Sequence, residues 1–189
     1  MKHLIFLLII LLYFTSCSSK IETQEINGVE YLVTPVDSSA NLLVETDSFS
    51  GVVFSEHESP NRDVFTFSML LRPKEKDTIT PFTPSLDDIV IAERILKRCA
   101  EVDEIGADSL AIGEVNSLTT YRRQYFGGIN EKGQKLIWIN CFSKESEFDH
   151  KDWKKEIVEV QDGGDWYFNV VANISTEECY RFFRNSIGG

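Results

Sequence analysis

YRRQYFGGI-NEKG-QKLIWINCFS, residues 121–143, reads as two extended runs around a tight turn. Successive side chains on a strand point to opposite faces. In the second run Ile137, Ile139 and Cys141 therefore share one side, and Leu136, Trp138, Asn140 and Phe142 the other. Both sides are apolar enough for burial, so this strand belongs in a sheet covered on two faces. Asn130-Glu131-Lys132-Gly133 supplies glycine where a hairpin needs positive φ, so the two runs pair antiparallel.

Working outward, residues 144–155 read as a polar loop and residues 157–160 as a third strand. Asp162-Gly163-Gly164-Asp165 is a tight turn into a fourth strand at 166–174 (WYFNVVANI). Ser175-Thr176-Glu177-Glu178 has the form of a capping box, but residues 180–184 suit an edge strand, and the strand is the reading preferred. Upstream, Thr83 serves as N-cap and Pro84 as the first helical residue. Ile89, Ala92, Ile95, Leu96, Cys99 and Val102 then recur at helical spacing, opposite Arg94, Lys97, Arg98 and Glu101, until Gly106 ends the helix. Residues 29–72 hold β-like runs at 29–33, 51–54 and 63–72 (DVFTFSMLLR). The fold class expected is α+β: one amphipathic helix (83–105) on an antiparallel sheet of four to five strands (121–185), with extra N-terminal strands. This order of elements resembles a cystatin-like roll. Residues 29–189 form the single domain.

Lys2 and His3 precede an unbroken apolar run at 4–14 (LIFLLIILLYF). That length suits a signal-peptide core and is short of the roughly 20 residues that span a bilayer. Thr15-Ser16-Cys17-Ser18-Ser19 follows and resembles the lipobox of bacterial lipoproteins, with Phe14 departing from the usual Leu or Val. The resemblance implies a signal peptide over 1–16, removed on lipidation of Cys17 with diacylglycerol and a fatty acid such as palmitate. Residues 17–28 then act as a lipid-attached tether, and Ser18 resembles the default for outer-membrane sorting. Further on, the RQYFG, INCF, WKKE and DGG…YFNV pieces between 121 and 185 resemble the C-terminal part of a family of uncharacterised bacterial lipoproteins. That family implies a final strand but supplies no activity.

The first sixteen residues hold one of the 19 basic residues and none of the 30 acids, which leaves a net charge of −12 from Cys17 onward. Such a surface repels phosphate backbones, so nucleic acid is excluded as a partner. Of the thiols left after export, Cys99 sits mid-stripe on the helix as a buried inert group, while Cys141 and Cys179 bridge only if their Cα atoms come within about 7 Å. No zinc spacing, cofactor motif or catalytic set is present. His57 and His150 lie among charged residues and read as solvated.

Adjacent strand residues face oppositely, so either Arg122 or Arg123 lies over the aromatic face near Trp138 and Tyr125. Asp162, Asp165 or Glu159 is its expected partner, although the same guanidinium could grip an anionic or peptide ligand. Arg123, Gln124, Tyr125, Trp138 and Asn140 thus form the candidate binding face, unless residues 29–72 cover it. The expected function is a non-enzymatic, lipid-anchored envelope domain that binds a protein or peptide. The alternatives are an envelope enzyme using Arg123 and nearby carboxylates, or a structural lipoprotein.

Overall fold

The computed structural model describes residues 20–58, 79–101, 117–146, 148–160 and 162–185. Cys17 and the expected strand at 63–72 lie outside them. Nine strands are described: β1 (Glu22–Ile26), β2 (Val29–Pro35), β3 (Leu42–Glu45), β4 (Ser50–Val53), β5 (Thr80–Phe82), β6 (Tyr121–Ile129), β7 (Lys135–Ser143), β8 (Tyr167–Asn173) and β9 (Glu178–Arg184). The helix described is α1 (Leu86–Glu101).

The expected sheet of four to five antiparallel strands, and with it the cystatin-like roll, is overturned. All nine strands join one mixed sheet in the order β1-β2-β3-β4-β6-β7-β8-β9, with β5 also paired to β6. The N-terminal strands are not an accessory layer, because β4 pairs parallel with β6 (Gly51 against Arg123, Val53 against Tyr125). Farther along the same edge of β6, β5 pairs antiparallel with Gly127 to Ile129. One edge of β6 thus takes two short strands, and its other edge takes the whole of β7 in register from Tyr121–Ser143 to Ile129–Lys135.

Two further expectations fail locally. Residues 22–28 are not tether: β1 pairs with β2 around Asn27 and Gly28, both with positive φ, the conformation of a two-residue hairpin loop. Residues 157–160 form no strand. They run with Trp153 across the Leu136/Trp138/Phe142 face, where Trp153 and Val158 are buried in its apolar cluster. Their backbone groups bond to side chains instead of a ladder. Gln124 Nε2 donates to the carbonyls of Trp153 (2.6 Å) and Glu156 (2.7 Å). Val158 N donates to Gln124 Oε1 (2.9 Å), and Asn140 Nδ2 donates to that oxygen (3.0 Å) and to Val158 O (2.8 Å). Two buried amides thus satisfy a chain segment that would otherwise leave polar backbone groups unpaired.

The opposite face packs under α1. Ile89, Ala92, Ile95, Leu96 and Cys99 form its buried stripe, against Ile137, Ile139, Phe168, Val170 and Ala172. Ser85 caps the helix in place of Thr83: Asp88 N donates to Ser85 Oγ and Ser85 N to Asp88 Oδ2. Thr83 Oγ1 instead accepts from Glu56 N. Asp88 also pairs with Lys135 at 3.1 Å, which ties the start of the helix to the start of β7. At the far end Cys99 is bonded to Cys179 on β9, with Cα atoms 5.9 Å apart. Cys99 is therefore not an inert thiol, and Cys141 is free and buried. Cys141 cannot be the partner of Cys179 because β8 lies between their strands, Cys141 facing Phe168 and Cys179 facing Ala172.

Candidate functional site

Among the described residues α1 covers β8 and β9, on the C-terminal side of the sheet. A cleft of about 620 Å³ remains between the helix and the N-terminal strands. Its helical wall is a second stripe on α1, Val90, Glu93, Arg94, Lys97 and Ala100, beside the buried one. The facing wall comes from Val29 and Tyr31 at the start of β2, Thr46, Ser48 and Phe49 at the β3–β4 turn, and residues 117–119 just before β6. Such a recess, mostly apolar with a few placed polar groups, falls within the size range of ligand sites, roughly 300–1,000 Å³.

The floor is the Arg123–Glu93 pair. Arg123 is only 2% exposed, and its Nε lies 2.9 Å from Glu93 Oε1, with Glu93 16% exposed. Nη1 donates to Tyr121 O (2.8 Å) and Nη2 to Leu118 O (3.0 Å), while the guanidinium carbon sits 5.0 Å from the centre of the Phe49 ring. Tyr125 Oη donates to Glu93 Oε1 at 2.7 Å. Room for Tyr125 comes from Gly51, where a Cβ would stand 2.5 Å from the tyrosine ring.

The electrostatics follow from burial. Desolvation pushes the Glu93 carboxyl above its usual range, against the pull of Arg123 and of the Tyr125 hydroxyl. Desolvation also holds Tyr125 well above the ordinary phenol range, with the Glu93 charge adding to it. Arg123 is held protonated by Glu93 against the cost of its own burial. Burial pushes the Cys141 thiol up to about 12, so it stays protonated and is a poor nucleophile. Tyr31 in the cleft wall is raised by burial and then by Glu93.

No family model, curated protein or solved structure matches this chain.

The five residues of the expected binding face are split between two sides of the sheet, and all are buried. Arg123 and Tyr125 point under α1. Gln124, Asn140 and Trp138 point the other way, beneath residues 150–160. The arginine on the aromatic side is Arg122, 5.4 Å from the Trp153 ring. None of the expected acids partners Arg123. Asp165 pairs with Arg184, and Asp162 accepts from Asn185 through its carbonyl. Sequence reasoning missed Glu93, Tyr31 and Phe49. The one usable signal was that position 93 falls between the apolar stripe of the helix and its charged side.

The histidines differ. His57 is exposed beside Glu56. His150 is partly buried against Phe142 and Tyr167, with Nε2 2.9 Å from Tyr167 Oη, which lies 2.5 Å from Ser146 Oγ. Burial and then Arg122 lower its pKa. Among the described residues no helix is long and apolar enough to cross a membrane, and no group of side chains has the makings of a metal site.

Proposed function

We propose that this protein is an exported lipoprotein, held at a bacterial envelope membrane by acyl chains on Cys17, whose domain binds a segment of another envelope protein or peptide without chemistry. The observation that carries the binding reading is the cleft beside α1, a concave apolar recess with hydroxyl and charged groups at its edge. Its floor supports binding over catalysis. The three guanidinium nitrogens of Arg123 already face protein oxygens, and one of those, Glu93 Oε1, also accepts from Tyr125. The location is supported by residues 1–19 and by the Cys99–Cys179 bridge, because structural disulfides belong to oxidising compartments. Placement at the outer membrane rests on Ser18 alone.

Two measurements on the full chain test the two halves. Cys17→Ser is expected to abolish labelling by palmitate and to release the protein from membranes, since the two or three acyl chains on that residue supply the hold. Unchanged labelling and fractionation would sink the anchor. A photo-crosslinking residue in place of Val90, irradiated in the intact envelope, is expected to give a discrete adduct that the same residue at exposed Lys132 does not give. Identical patterns from the two positions would remove the cleft as the binding site.

A further inference from the structure

The cleft rim lies at one end of the N-terminal ribbon, and the chain enters the ribbon at the other. Glu22 opens β1 opposite Val33, and the strand runs to Ile26, which faces Val29 across the Asn27–Gly28 turn. Val29 and Tyr31 are cleft wall, and so are Thr46, Ser48 and Phe49 of the β3–β4 turn. That turn lies at the same end, because Glu45 faces Leu32 on one side and Ser50 on the other. Residues 117–119 join it there, since Ser50 stands beside Arg122 near the start of β6. The loop that leads from β2 to β3 is at the opposite end, with Glu22, because Pro35 faces Leu42.

Glu22 stands five residues after Cys17, a length that reaches about 17 Å when fully extended. Acyl chains on Cys17 therefore keep the entry end close to the bilayer, where exposed Ile21 suits the interface. From there β1 climbs about 14 Å from Glu22 to Ile26, at about 3.4 Å per residue. Glu22, Glu25 and Glu30 are exposed along β1 and β2, and anionic headgroups repel a ribbon laid flat on that edge. The walls of the cleft mix apolar Val29, Val90 and Leu118 with the hydroxyls of Thr46, Ser48 and Thr119. Such walls suit a segment with a polar backbone better than a bare hydrocarbon chain.

We propose that the domain stands on its anchored end with the cleft rim turned toward water, and that the occupant is a water-borne polypeptide segment, not a lipid of the supporting bilayer. This rests on the anchor and on the binding reading of the cleft, and it adds the side from which the partner arrives.

The test uses the full lipidated chain in nanodiscs of phosphatidylethanolamine and phosphatidylglycerol. A fluorescent amino acid replaces Asp37 or Asp47, two exposed positions beyond opposite ends of β3, and the acceptor dye sits on lipid headgroups. Energy transfer is expected to be stronger from position 37, because position 47 stands farther from the headgroups by at least about 10 Å, the rise of β3. Equal transfer, or stronger transfer from 47, overturns the upright placement. In the same discs a photo-reactive residue at Ile21 is expected to give a lipid adduct by mass spectrometry, and one at Val90 none. A lipid adduct at Val90 overturns the water-borne occupant. Loss of the chain from the discs overturns the anchor and this proposal with it. The protein adduct from Val90 in the intact envelope reads binding separately, so failure of the binding reading and failure of the orientation show as different results.

Discussion

Replacing Arg123 by an uncharged side chain tests how its buried pair with Glu93 of α1 is balanced. Arg123→Met leaves Glu93 beneath the helix with Tyr125 as its remaining partner. Loss of one member of a buried ion pair costs about 3–5 kcal/mol, because the survivor is a desolvated charge. Arg123→Met with Glu93→Gln removes both charges and is expected to recover most of that loss. Urea unfolding midpoints of the single and double variants measure it, and equal loss in both would show that the pair does not behave as a unit. Little of this was legible in the sequence. Glu93 is one of 30 acids, and 30 positions of chain separate it from Arg123. Only the packing of α1 on the sheet, which brings Glu93 to Arg123, selects it. Arg122 was equally eligible, and strand alternation alone could not say which arginine went under the helix.

Residues 144–146 and 148–160 behave as an element without regular secondary structure. Their hold on the sheet comes from Gln124 and Asn140 at one end and His150 at the other. His150 is bordered by Arg122, Asp149 and Tyr167, and its folded pKa lies below the ordinary 6.5. The folded state therefore favours the neutral ring. Its contribution is present above pH 6.5 and is lost as pH falls through the lowered folded value. The melting temperature of the wild type is expected to fall more between pH 7 and pH 5 than that of His150→Gln, and parallel curves would refute this. The β6–β7 hairpin and α1 were readable because alternation, helical spacing and turn residues agreed there, whereas at β9 the capping-box pattern of residues 175–178 competed with the strand pattern. The segment at 157–160 was misread because Ile157, Val158 and Val160 look like strand residues. Val158 is buried and Ile157 and Val160 are partly buried by packing, with backbone partners on side chains that no local pattern announces. The opposite error befell β1, whose residues Glu22 to Glu25 are exposed and offer no apolar alternation, although Asn27-Gly28 is a strong hairpin signal.

At the scale of the molecule the Cys99–Cys179 bond closes a separation of 80 residues and fixes the end of α1 to an edge strand. Removing a native bridge from a domain of this size costs about 2–5 kcal/mol. Cys99→Ala with Cys179→Ala is expected to lower stability by that amount, read from guanidinium unfolding, with Cys141 in the native protein unreactive to thiol reagents. A variant as stable as the wild type would show that helix packing alone sets the position of α1. Sequence reasoning set Cys99 aside as inert and weighed only Cys141 against Cys179, because pairing depends on which elements are neighbours.

The parallel match of β4 to β6 has a consequence for how the chain comes into being. The ribbon of β1 to β4 has its seat on residues 122–125, which a ribosome makes some seventy residues after the ribbon itself. Until then β1 to β4 can pair only with one another, and contacts so distant along the chain form slowly. A polypeptide leaving its ribosome thus lacks the parallel partner of its β4 edge until Tyr125 has been made.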